Sequence, residues 1–272
     1  MFAIRPILAT YLCILAVWSA WSQQPQSSGP TNDPFWVVAP VRTPEALAIV
    51  QGSLAALGGS DAISKLQSFV VQGNLAVTDS NVQSGNVVWE VAGQELRFDF
   101  PASDGIRTIA TGHGSPFVRA NGVSSWMPDH TMRALFIPPL VARNLNIAIQ
   151  DLQYSIEFGG AGVVGNTSIK IVTISSQASR RDSIATLQTW YFDSVSGLPV
   201  RVEYRVPDCD DVRHFLAASA EVSNYKSMSS VYFPLQANIT IAGHPSGTIT
   251  ISSIAINGPI QGSDFDNPGA AQ

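Results

Sequence analysis

Strict alternation of apolar and polar residues, repeated in several separate runs, restricts this 272-residue chain more than any other feature. Leu96, Phe98 and Phe100 alternate with Glu95, Arg97 and Asp99. Val200, Val202, Tyr204 and Val206 alternate with Arg201, Glu203 and Arg205, and Leu235, Ala237, Ile239 and Ile241 with Gln236, Asn238 and Thr240. Phe69, Val71, Leu75 and Val77 show the same period around Gln72 and Asn74. Successive side chains of a strand point to opposite faces, so each run describes a strand with one dry face and one wet one. That is the habit of antiparallel sheets; parallel strands buried on both faces read as continuous apolar runs. Ile249 and Ile251 change phase to Ile254 and Ile256, which predicts a bulge at Ser252-Ser253.

Turn chemistry agrees with the period. Asn121-Gly122 between Phe117–Ala120 and Val123–Met127 is a two-residue hairpin signal, and Ser196-Gly197 joins Thr189–Phe192 to Val200–Val206. About ten or eleven strands, spaced roughly 8–15 residues apart and without a strand–helix–strand rhythm, predict a large curved antiparallel sheet. One long helix precedes it. Thr43 is a suitable N-cap, Pro44 fits the first helical position, and Glu45 suits the positive end of the helix dipole. Leu47, Val50, Leu54 and Leu57 form its apolar stripe, Gly58-Gly59 ends it, and a short turn over Ser60–Leu66 leads into the first strand.

Composition excludes several classes. Charged residues make up 13% of the chain, about half the usual ~25%, which rules out a long coiled coil or a charged disordered tail. A formal charge of -5 with no run of Lys or Arg lacks the footprint of a nucleic-acid partner. At the N-terminus Arg5 precedes an apolar run from Ile7 to Trp21, shorter than the ~20 residues of a bilayer span. Ala20 and Ser22 supply small residues at the -3 and -1 positions of a cleavage site. Residues 1–22 therefore read as a signal peptide, and the mature chain as extracytoplasmic, most simply periplasmic, with no membrane span. Residues 23–42 read as a flexible tether, 43–267 as one domain and 268–272 as a disordered tail. Cys13 falls within the leader, so Cys209 stands alone in the mature chain and no intramolecular disulfide is expected.

One stretch breaks the rhythm. His130 to Leu145 contains Met132, Leu135, Phe136, Ile137, Pro138, Pro139, Leu140 and Val141, too apolar for an ordinary surface loop and interrupted for a helix by its proline pair. It reads either as a helical loop covering the core or as a lid over the dry face of the sheet.

The order of these pieces resembles the lipoprotein-carrier (LolA/LolB-like) superfamily of bacterial envelope proteins. The resemblance rests first on the amphipathic helix ending in Gly58-Gly59, then Leu66-Gln67-Ser68 running into a strand with Gly73. It continues through Asn121-Gly122 with Trp126 and Pro128 ahead of the lid-like segment, and through Phe192-Asp193-Ser194-Val195-Ser196-Gly197-Leu198-Pro199-Val200. Tyr225-Lys226, Val231-Tyr232-Phe233-Pro234 and a last strand through Ile256-Asn257 to Phe265 complete it. What the resemblance implies is a mostly β, α+β fold: an unclosed antiparallel β half-barrel wrapping the N-terminal helix, with a lid-like helical loop and a hydrophobic concave face that receives acyl chains.

The sequence lacks the signatures of catalysis. Gly112-His113-Gly114-Ser115 misses the last glycine of a nucleophile elbow, and no phosphate-binding loop or His-Glu-x-x-His is present. His113, His130, His214 and His244 are dispersed among turn residues, so no metal or other cofactor is expected. Asp208, Cys209, Asp210, Asp211, Arg213 and His214 are the one dense polar cluster and read as a turn between strands; a thiol nucleophile at Cys209 is the sharper alternative. The chain is thus expected to be a non-enzymatic binding protein for a lipid, acyl chain or lipidated peptide, with an envelope protein as a further partner. The alternative is an envelope scaffold or stress-sensor domain with a filled core. The candidate ligand-binding residues are Trp89, Leu96, Phe98, Phe100, Trp126, Phe136, Ile137 and Leu140. Leu96, Phe98 and Phe100 share the dry side of one strand, Trp89 lies in phase with Val87 and Val91 on the strand before it, and Phe136, Ile137 and Leu140 flank the proline pair.

Overall fold

Period-two runs become thirteen strands in the computed structural model, which describes residues 39–78, 83–93, 95–102, 105–112, 115–126, 140–177, 186–207 and 215–266. The strands are β1 (Ser68–Val77), β2 (Gly85–Ala92), β3 (Glu95–Ala102), β4 (Gly105–Gly112), β5 (Ser115–Ala120), β6 (Val123–Trp126), β7 (Tyr154–Val164), β8 (Thr167–Ser176), β9 (Gln188–Asp193), β10 (Pro199–Pro207), β11 (Phe215–Met228), β12 (Val231–Ile241) and β13 (His244–Ile256). They form one antiparallel sheet in the order β6-β5-β4-β3-β2-β1-β13-β12-β11-β10-β9-β8-β7. β6 and β7 end that order without pairing to each other, so the sheet is an open half-barrel. Thirteen strands exceed the ten or eleven expected. β7 and β11 contain the small-residue runs Gly159–Gly162 and Ala217–Ala220, which interrupt the alternation and leave a weak sequence signal for a strand.

Local chemistry fixes the connections as the sequence predicts. Asn121 and Gly122 have φ of 51° and 78°, both positive, as a two-residue turn with the twist of its flanking strands requires. The β1–β13 register shifts at Gln72/Gly73, with Gln72 opposite Ser253 and Gly73 opposite Ile251, so Ser252 is the extra residue of the predicted bulge. Between β9 and β10, Asp193 Oδ1 accepts hydrogen bonds from the backbone N–H of Ser196 (2.8 Å) and Val195 (2.7 Å). These donors, Ser196 first, hold its carboxyl below the ordinary carboxylate range.

The long helix α1 spans Pro44–Ala56 and buries Ala46, Val50, Ser53 and Leu54; Leu57 follows, fully buried. Thr43 occupies the N-cap position, but its hydroxyl makes no cap. It accepts instead from the Phe158 N–H at 3.2 Å, tying the helix entry to β7. Gly58 (φ 120°) and Gly59 (φ 90°) end the helix, and a Cβ at Gly58 would overlap the carbonyl oxygen of Ser230. The short helix α2 covers Ser60–Ser64. A third helix, α3 (Val141–Gln150), was not expected as a separate element. It occupies the end of the apolar segment that begins at His130, and it buries Val141, Ala142, Leu145, Asn146 and Ala148. α1 packs on α3, β7 and β8, while α3 packs on α1, α2, β7 and β12, so helices fill the concave side over the β7–β12 half of the sheet.

Two polar anchors hold the ends of the domain. Arg42 lies in the expected tether, yet residues 41–43 run beside β7: Arg42 bridges Ile156 in parallel, Thr43 N–H donates to Ile156 O (3.0 Å) and Ile156 N–H to Val41 O (2.7 Å). Its guanidinium donates to Ile149 O (2.6 Å), Asp151 O (2.9 Å), Ala148 O (3.3 Å) and Tyr154 O (3.3 Å). Several of these are carbonyls that the last turn of α3 leaves without intrahelical partners. On the convex face, Arg97 meets Asp99 at 2.7 Å, Glu90 at 3.5 Å and the Asp264 carboxylate at 4.0 Å. Asp264 belongs to the 3-10 turn Gly262–Phe265, whose Phe265 is buried. Burial pushes the Glu90 carboxyl above its ordinary value, against the pull of Arg97.

Candidate functional site

Register assembles the candidate residues of β2 and β3 into one apolar surface. Trp89 pairs with Phe98 across β2–β3 and with Val71 across β2–β1; Phe98 pairs with Ile109, Ile109 with Val118, and Val71 with Ile254. One row of same-face side chains therefore crosses β5, β4, β3, β2, β1 and β13. The Trp89 and Phe98 rings stack at 4.8 Å and 15°, and Phe98 stacks on Phe100 at 5.1 Å and 21°. Such offset aromatic contacts add about 0.5–1.5 kcal/mol each beyond the area they bury. Leu96 stands in register with Val91, which in turn faces Phe69, extending the surface by a second row.

This face is closed. Trp89 is 0% exposed, Leu96 7%, Phe98 8% and Phe100 3%, and all four join the helices in one hydrophobic cluster. Leu140, 2% exposed, sits at the N-cap of α3 within the same cluster. The structure thus unites Trp89, Leu96, Phe98, Phe100 and Leu140. Trp126 does not join them: it ends β6 in register with Phe117, which pairs with Ala110 and through it with Arg97, so its position lies in the row of the opposite face while Ser125 continues the aromatic row. Phe136 and Ile137 lie outside the described residues, as do the Asp208–His214 cluster, the predicted signal peptide and the proline pair of the lid-like segment.

Sequence reasoning passed over Arg107. It pairs with Phe100 and precedes Ile109 by two residues on β4, which places it on the same face as the aromatic row, half-buried at the end nearest the β3–β4 turn. The signal was the alternation itself: Ile106, out of phase with Ile109, is 64% exposed. An arginine at the rim of an apolar surface suits an anionic group attached to a hydrophobic body.

The convex face offers a different chemistry. Between β9 and β12 lies a concavity of about 310 Å³ whose lining includes Ala217 and Ser219. Arg201 and Glu203 wall it as an ion pair at 2.9 Å, with the Arg201 guanidinium carbon 5.6 Å from the centre of the Tyr191 ring. The charged pair in its lining does not suit an acyl chain. Among the described residues no group of three or more His, Cys, Asp and Glu could hold a metal ion, and no helix is long and apolar enough to cross a membrane.

Comparison with solved structures defines the class of fold. A DUF1329 family protein from Desulfovibrio piger superposes with a TM-score of 0.52 at 13% identity, covering 82% of this chain and 99% of the other. A LolA superfamily protein from Nitrosomonas europaea superposes with a TM-score of 0.52 at 12% identity, covering 82% and 97%. The chain has the LolA-like fold. No protein-family profile matches the sequence, and no curated protein matches it significantly.

Proposed function

We propose that the chain is an exported, non-enzymatic binding protein of the cell envelope, periplasmic in location. Its ligand is a lipid, an acyl chain or a lipidated peptide, held against the concave face by Trp89, Leu96, Phe98, Phe100 and Leu140 together with Phe136 and Ile137. The observation that carries this reading is the continuous apolar row through the Trp89–Phe98–Phe100 stack, set in a sheet that does not close. Each methylene removed from water contributes about 0.8 kcal/mol, so ten buried methylenes give roughly 8 kcal/mol before ordering costs. That driving force needs no catalytic constellation. Residues 1–22 would direct export, and an envelope protein that delivers or receives the ligand is the expected further partner.

The burial of the same face favours a second reading, in which the concavity is permanently filled and the domain is a scaffold or sensor. Titration of the purified protein with a fluorescent fatty-acid analogue separates the two. The binding reading expects a saturable signal that a non-fluorescent long-chain lipid displaces. Absence of saturable binding sinks it and leaves the scaffold.

A further inference from the structure

Two fully buried indoles make opposite use of their N–H groups. Trp190, 1% exposed, donates from Nε1 to Gln188 Oε1 at 2.9 Å. Gln188 stands two residues earlier on β9, and so on the same face. Trp89, 0% exposed, has no hydrogen-bond partner for Nε1 among the described residues. Its own i−2 and i+2 positions hold Val87 and Val91, and its cross-strand neighbours are Val71 and Phe98. None of these four side chains carries an acceptor, whereas the equivalent neighbourhood of Trp190 includes one.

A buried donor without an acceptor forfeits the hydrogen bond that water would give it, and native proteins retain few such groups. A buried indole N–H usually finds a hydrogen-bond partner. The missing acceptor is therefore one that arrives with the ligand. Resting on the lipid-binding reading above, we infer that Trp89 is a specificity-determining residue whose indole N–H donates to the carbonyl oxygen of an ester- or amide-linked acyl chain. Hydrocarbon and ether-linked chains offer the same apolar body without that carbonyl, and the site discriminates against them.

The test compares a short-chain glycerophospholipid with its dialkyl-ether analogue of equal chain length, both below their micelle concentrations. Wild-type protein is expected to bind the diester about fivefold more tightly, the factor that one net hydrogen bond supplies. Trp89→Phe removes the donor and keeps a ring against Phe98; it is expected to abolish the preference by weakening only diester binding. Any loss of packing in the variant affects both lipids alike, so the ratio isolates the donor. A second measurement needs no variant: the Trp89 indole proton resonance of the 15N-labelled protein should move downfield with the diester and stay in place with the diether. Repeating the pair with a diacylglyceryl-cysteine peptide and its ether analogue tells a membrane lipid from a lipidated protein as the source, and a preference in either supports the assignment. Equal affinity of the wild type for ester and ether forms overturns the role of Trp89 alone. Binding of neither form overturns the lipid reading itself.

Discussion

Arg42 shows how one side chain can define a domain edge. Its guanidinium reaches four backbone carbonyls at the end of α3 and the start of β7, and its backbone pairs with Ile156 on the outermost strand. A planar cation with five donors is suited to gather divergent carbonyls, and its charge complements the negative end of the helix dipole. Arg42→Ala leaves those carbonyls to water where water can reach them. It is expected to cost about 1–3 kcal/mol, read as a lower urea midpoint at unchanged m-value. Arg42→Lys, a point charge on a flexible stem, should recover less than half of that; full recovery by lysine, or a loss below about 0.5 kcal/mol for alanine, would show that the geometry of the fork is immaterial. None of this was legible in the sequence, because Arg42 follows a Pro-, Ser- and Gln-rich stretch and its partners lie more than a hundred positions away. The roles of Trp89, Phe98 and Phe100 as one face were legible, since alternation alone sets the face of each residue. Their stacking was not, because register comes from pairing.

At the scale of elements, the antiparallel strands, the α1 boundaries, the Asn121-Gly122 hairpin and the Ser252 bulge followed from local chemistry. α3 did not. Its apolar positions Val141, Ala142, Leu145 and Ala148 do follow helical spacing, but Pro138-Pro139 and two asparagines mask the start of the pattern. Its stability comes from packing on α1, α2 and the sheet. Glycines around α1 give a test of how well the element is understood. Gly52 lies inside the helix, and a Cβ there meets nothing within 4 Å. Gly58 adopts φ 120° and its added Cβ would strike the Ser230 carbonyl. Gly52→Ala is therefore expected to stabilise the protein by about 0.5–1 kcal/mol through lower unfolded-state entropy and better helix propensity. Gly58→Ala should destabilise it by about 2 kcal/mol or more, since strain and overlap add. Thermal denaturation of both variants checks the pair, and equal signs would mean that the helix ends elsewhere.

For the whole molecule, an open sheet and a closed face have a kinetic consequence. The candidate residues placed on the concave side are 0–8% exposed, so under the proposed binding role a ligand would reach them only after that buried face opens. If a fraction f of molecules is open at any time, the apparent dissociation constant rises to the intrinsic value divided by f. Stabilising the closed form then weakens binding without touching a ligand contact. The association rate carries the same information in a form that equilibrium titration lacks. When opening precedes binding and is slow, the rate observed under excess ligand levels off at the opening rate as ligand concentration increases. Stopped-flow mixing with a monomeric fluorescent acyl probe is expected to show that plateau, and low concentrations of urea should raise it by favouring the open form. A rate that climbs linearly with probe concentration, at values typical of unhindered association (about 10⁵–10⁷ M⁻¹s⁻¹), would mean that the concave face is open to solvent in the resting protein. The aromatic row would then be a surface that ligands meet directly, and opening would have no gating role.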